Sequence, residues 1–158
     1  MKIAVCDDNP VQLDHMVYRL EEYFSVRSEP VRIDEYSDGK ELLEKLTKYK
    51  YDVIILGFAM KELNGIQTAV EIKEIDDEAM IIFNTIMKNI DTEEYKIDEY
   101  CVLNKNMSRV ECLNNIDKIY HEYKKKSSDN DRPHSRILFT ERHNLIKQDG
   151  FTTHTQDI

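Results

Sequence analysis

The run Tyr51-Asp-Val-Ile-Ile-Leu-Gly57 decides the fold. Val53, Ile54, Ile55 and Leu56 follow one another without a polar residue, so a strand built from them is apolar on both faces and needs cover on both. Such a strand lies in the middle of a parallel sheet with helices packed from either side. The apolar run stops at Gly57, and the loop from Phe58 to Gly65 leads into a helix that carries Ile66, Ala69, Val70 and Ile72.

Outward from this centre, the same unit repeats. Lys2-Ile-Ala-Val-Cys6 is a short buried strand that ends abruptly in Asp7-Asp8-Asn9-Pro10. Pro10 suits a first helical turn, and Leu13, Met16, Val17, Leu20 and Phe24 form one helical stripe to about Ser25. Val31 to Tyr36 reads as a second strand, Ser37-Asp38 as a helix start, and Leu42, Leu43 and Leu46 as that helix's apolar face. Met80-Ile-Ile-Phe83 is a fourth strand ending in Asn84-Thr85, and Cys101-Val-Leu103 a fifth ending in Asn104-Lys105. The polar stretch from Lys88 to Glu99 is expected to be a short, loosely packed helix. Val110, Leu113, Ile116, Ile119, Tyr120 and Tyr123 stripe a last amphipathic helix. Strict alternation of strand and helix means an α/β fold, a doubly wound five-stranded parallel sheet with helices on both faces and right-handed crossovers.

At 158 residues, with 31 acidic against 22 basic side chains, the chain has room for one ordinary domain and an appendage. Residues 1–125 are expected to form the domain. Residues 126–158 are expected to be a linker and a short tail, disordered or loosely attached. Composition shifts to Lys, Ser, Asp and Asn between Lys124 and Ser135, and the Arg136-Ile-Leu-Phe-Thr140 run is followed by nothing that supplies a core. The acidic balance opposes direct nucleic-acid binding by this chain alone. Cys6, Cys101 and Cys112 are far apart and odd in number, which fits a reduced cytoplasmic compartment. No apolar run approaches the roughly 20 residues of a membrane helix. His15, His121, His134, His143 and His154 have no metal-ligand spacing.

Ligands of an open parallel sheet bind beyond the carboxyl ends of its strands. That rule selects Asp7 and Asp8 after strand one, Gly57 after strand three, Thr85 after strand four and Lys105 after strand five. Two carboxylates suit a hard divalent cation, while an ammonium and a hydroxyl suit phosphoryl oxygens. The blander readings are a charged turn for the acids, an ordinary strand end for Thr85 and a solvated lysine for Lys105. Gly57 reads equally as a strand terminator, a turn residue or a lost functional group.

Asp7-Asp8, Met60, Leu63-Asn64-Gly65, Thr85 and Lys105, in this order on these elements, resemble the signature of response-regulator receiver domains of two-component systems, from Met1 to about Lys125. The resemblance implies the flavodoxin-like strand order 2-1-3-4-5, shared with this family's chemotaxis member. It also implies a site in which an aspartate at the end of strand three accepts a phosphoryl group from a histidine kinase. Mg²⁺ would be held by the acid pair, that aspartate and a backbone carbonyl, here that of Ala59. Thr85 would be the switch hydroxyl and Lys105 the phosphate-contacting lysine.

The chain departs from the pattern at its centre. Where the family has Asp-x-x-Met-Pro, it has Gly57-Phe-Ala-Met60-Lys61, and Gly57 can neither attack a phosphoryl donor nor ligate a metal. Asn106 replaces a customary proline, and Val102 a frequent aromatic of the output switch. The expectation is therefore a pseudo-receiver: a non-enzymatic signalling module with no tightly bound cofactor, a weak residual Mg²⁺ site at Asp7 and Asp8, and Lys105 paired statically with one of the two. Its partners would be proteins, namely a histidine kinase, an output domain, another regulator or a second copy. They would meet the surface around the Lys88–Glu99 segment, the fifth strand and the last helix.

The alternative is a fragment, or a phosphosite-less form, of a DNA-binding transcriptional regulator. The Arg136-Ile-Leu-Phe run points to the subgroup with LytTR-type domains. Two rivals are weaker. A displaced acceptor would have to be Asp7 or Asp8, because Asp52 lies at the opposite end of strand three. A nucleotide site would want a Gly- or Ser-rich loop where Asp7-Asp8-Asn9-Pro10 stands.

Overall fold

The computed structural model describes residues 1–86 and 101–128. The expected helix between Lys88 and Glu99 and the tail beyond Ser128 lie outside the described residues. The elements run β1 (Lys2–Cys6), α1 (Pro10–Ser25), β2 (Arg32–Tyr36), α2 (Gly39–Leu46), β3 (Val53–Gly57), α3 (Gly65–Ile75), β4 (Met80–Thr85), β5 (Cys101–Asn104) and α4 (Arg109–Ser128). All pairings are parallel, in the order β2-β1-β3-β4-β5. Among the described residues no helix is long and apolar enough to cross a membrane.

Period-2 alternation divides the core between the two faces of the sheet. Ala4, Cys6, Ile54, Leu56, Ile81 and Phe83 pack against α2 and α3. Ile3, Val5, Val53, Ile55, Ile82 and Leu103 pack against α1 and α4. The unbroken apolar run of β3 is thus explained, since every one of its residues is buried.

The helix starts follow from their caps. Asn9 accepts from the amides of Val11 and Gln12 at 3.0 and 3.3 Å, with Pro10 at the first helical position. Asp38 accepts from Lys40 N at 2.8 Å. Asn64 and Gln67 close a reciprocal capping box on α3, satisfying amides that a helix start otherwise leaves without partners. The Asn64-Gly65 pair therefore has a structural duty that motif reading alone does not show.

Two expectations need correction. β3 includes Gly57 as its last residue, and Gly57 does not adopt the left-handed backbone that would demand glycine. The turn-residue reading falls. The last helix also runs on to Ser128, past the expected domain boundary at residue 125 and into the stretch read as linker. Lys124 pairs with Glu29 at 2.6 Å, Lys126 donates to Glu78 O at 3.3 Å, and the hydroxyls of Ser127 and Ser128 bond back to the carbonyls of Tyr123 and Lys124. Lysines at a helix C-terminus also complement its dipole.

Candidate functional site

Alternation along the strands decides which side chains meet at the carboxyl edge of the sheet. Asp7 continues the face of Ile3 and Val5, Gly57 that of Val53 and Ile55, and Lys105 that of Leu103, all on the side of α1 and α4. The ladder holds these positions, because Asp7 N donates to Tyr36 O at 3.0 Å and Lys105 N to Thr85 O at 3.1 Å.

The expected ion pair forms, and its acid is Asp7. Lys105 Nζ donates to Asp7 Oδ2 at 2.8 Å, with the two side chains 18% and 4% exposed. Asp7 Oδ1 accepts from Asn9 N at 2.9 Å, so both carboxylate oxygens are engaged. Asp8 turns elsewhere: its Oδ2 accepts from Lys61 N at 3.1 Å and tethers the loop that follows β3.

Gly57 sits directly beside this pair. A Cβ placed on Gly57 would lie 2.9 Å from both Cγ and Oδ2 of Asp7, closer than carbon and oxygen tolerate. The space that a side chain at position 57 would fill is therefore taken by the Asp7 carboxylate. Gly65 crowds the same strand end from the other side, where a Cβ would meet Gly57 O at 2.4 Å, while its own amide donates to Phe58 O at 2.8 Å. Glycine at both positions lets α3 and β1 close on the end of β3.

Thr85 is buried at the end of β4, in register with Asn104 of β5, and continues the opposite face from Gly57. Asn84 is the residue that sequence reading passed over. It is 5% exposed and in direct register with Gly57, and the signal was its polar amide at the end of the apolar Met80–Phe83 run. Ala59 lies exposed in the loop after β3.

Cys6, just before the acid pair, donates to Met60 Sδ at 3.7 Å. Burial, and then the charges of Asp7, Asp38, Glu41 and Asp8, push its thiol up to about 12. A thiol so shifted stays protonated and is no nucleophile.

The donor set does not make a complete Mg²⁺ site. Asp7 already carries an ammonium, Asp8 is bonded to a backbone amide, and Gly57 offers no carboxylate. Among the described residues no group of three His, Cys, Asp or Glu side chains is arranged to hold a metal ion.

With this geometry in view, the likeness to known proteins is specific. Residues 3–117 match the model of the response regulator receiver domain. The chain is 29% identical over 126 residues to the sensory transduction protein LytR of Staphylococcus haemolyticus, covering 77% of this chain and 46% of that protein. It is 32% identical over 85 residues to the transcriptional regulatory protein LytR of Staphylococcus aureus, covering 54% of this chain and 33% of the relative. It thus spans half or less of the length of these curated relatives.

Among solved structures, the response regulatory domain of mrkE from Klebsiella pneumoniae superposes with a TM-score of 0.65 at 20% identity, covering 79% of this chain and 99% of that one. The response regulator TrrA of Thermotoga maritima, solved in complex with Mg²⁺ and BeF, superposes at 0.58 with 28% identity, covering 78% and 96%. The strand order, the acid and lysine gathered at the carboxyl edge and the family match agree, and the chain belongs to the response regulator receiver domain family.

Proposed function

We propose that this chain is a pseudo-receiver, a signalling module that acts through protein contacts without phosphorylation at position 57. One observation carries the reading: Gly57 stands at the end of β3, and the space beside it is filled by an Asp7 carboxylate already paired with Lys105. A receiver that lacks the acceptor has no covalent switch at that point, so its signal is its binding surface. That surface comprises the segment before β5, β5 itself and α4, offered to an output domain, another regulator, a histidine kinase or a second copy. The residual Mg²⁺ site, Asp7, Asp8 and the Ala59 carbonyl, is too weak to fill at low-millimolar Mg²⁺. We assign the protein to the cytoplasm and give it no enzymatic activity.

A second reading has its own support, since the relatives named LytR are regulators of transcription or sensory transduction and extend well beyond the matched part. On that reading the chain is the receiver portion of a LytR-like regulator, and DNA is contacted by a separate output domain.

Amide spectra of the ¹⁵N-labelled chain, with and without Mg²⁺ and acetyl phosphate, test the proposal. In the parent, acetyl phosphate added to the Mg²⁺-containing sample should leave the resonances of β5 and α4 unmoved. In Gly57→Asp it should move them. Phosphodonor-dependent shifts across α4 of the parent would mean that another residue takes up the phosphoryl group.

A further inference from the structure

The buried acid of the pocket already has a cation, and that cation is part of the chain. Lys105 enters from the end of β5 and reaches Asp7 at the end of β1, across the ends of β3 and β4 that lie between them in the sheet. Its ammonium is 2.8 Å from Asp7 Oδ2 and largely withdrawn from water. The remaining oxygen of Asp7 takes the Asn9 amide, and Asp8 is bonded to the amide of Lys61.

An incoming divalent ion would have to share Asp7 with an ammonium that repels it, or expel that ammonium. Gly57 offers no further carboxylate to offset either cost. Mg²⁺ gives up its water reluctantly and insists on octahedral geometry, so a crowded, half-neutralised acid is a poor exchange for hydration. For Asp7 the balance is reversed, because a buried carboxylate without a counter-charge is strongly unfavourable. Some cation must stand there, and Lys105 is held in place to be it.

We propose that the Lys105 ammonium is the resident cation of this pocket, replacing a divalent metal and making the tie between the ends of β1 and β5 independent of Mg²⁺. This rests on the reading of Gly57 as a lost acceptor and deepens it: the weakness of the metal site is caused by the lysine as well as by the glycine. The contact that fixes the β5–α4 connection is then permanent.

The test is a MgCl₂ titration of the full chain at constant ionic strength, read by thermal unfolding and by the amide resonances of Asp7, Asp8 and Lys105. The parent should show no change in midpoint and no saturable shift at low-millimolar Mg²⁺. Lys105→Met should unfold at lower temperature without Mg²⁺, regain stability as Mg²⁺ is added, and bind the ion at least about tenfold more tightly than the parent, because the freed carboxylate now needs a counter-charge. Lys105→Gln carries the same comparison should the methionine variant not fold. Asp7→Asn/Lys105→Met, with both charges removed, should fold and ignore Mg²⁺.

Saturable Mg²⁺ binding by the parent at low-millimolar concentration would overturn the proposal, as would lysine variants that bind the ion no more tightly. No phosphodonor is present. Phosphorylation of the parent at another residue would sink the functional reading and leave this titration intact.

Discussion

Gly57 and Asp7 form one unit. Asp7 can lie where it does because position 57 has no Cβ, and it stays there because Lys105 holds it. Placing an acid there by Gly57→Asp therefore does more than add a carboxylate: it pushes Asp7 aside and sets a second acid beside the one ammonium. In Mg²⁺-free buffer we expect this variant to lose about 1 to 3 kcal/mol of stability to overpacking and more to charge repulsion, and to regain only the repulsive part when Mg²⁺ supplies the missing positive charge. Gly57→Ala carries the same clash without the charge. It should show the overpacking loss alone and should not respond to Mg²⁺. Thermal unfolding of both variants with and without the ion distinguishes steric from electrostatic cost.

Among the elements, α1 and α4 are joined by polar bonds as well as by their apolar stripes. Asp117 of α4 accepts from Tyr23 Oη at 2.6 Å and from the Arg27 guanidinium at 3.0 Å. Arg27 also lies 3.4 Å from the centre of the Tyr23 ring, a cation over an aromatic face. The bond from Tyr23 is the main reason that the Asp117 carboxyl is held below its ordinary range. A carboxyl lowered by folding adds stability that is fully present above its unfolded pKa and is lost as pH falls through the lower folded value. Asp117→Asn should therefore lower stability at neutral pH, where the parent's carboxylate is charged, and the gap to the parent should close below about pH 4, as urea midpoints across that range will report.

On the other side of the sheet, Tyr51 Oη donates to Asp34 and lies 2.6 Å from Tyr36 Oη. Tyr51→Phe leaves that group short of a partner and should cost about 1 to 3 kcal/mol in urea unfolding.

These same elements show how much was legible in the sequence. The strands were plain because a parallel sheet covered on both faces needs unbroken apolar runs such as Val53–Leu56, and the helix starts were plain because Asn9-Pro10 and Asp38 are capping residues. The end of α4 was not. Lys124–Ser128 looks like linker by composition, and its contacts run to partners far away in sequence, Glu29 and Glu78. Within the site, strand-end position was enough to gather Asp7, Gly57 and Lys105. The choice of Asp7 over Asp8 as lysine partner was beyond it, because that choice is made by strand alternation together with the empty Cβ position at Gly57. Asn84 escaped notice for a related reason: its place beside Gly57 is a matter of register between β3 and β4.

For the molecule as a whole, the receiver fold carries a glycine at the end of β3. The sheet order, both halves of the core and the lysine at the end of β5 are kept, and the α1–α4 and α2–α3 pairs still cover the two faces. On the proposed pseudo-receiver reading, what has changed is the means of switching. A surface whose state is not set by a phosphoryl group must be regulated by the abundance of the protein or by competition among its partners.

The most direct measurement is the intact mass of the chain after incubation with acetyl phosphate and Mg²⁺, taken beside Gly57→Asp. With glycine at the acceptor position, the parent should keep its mass while the variant gains one phosphoryl group; a phosphorylated parent would contradict this and would send the search for the acceptor back to Asp7 and Asp8.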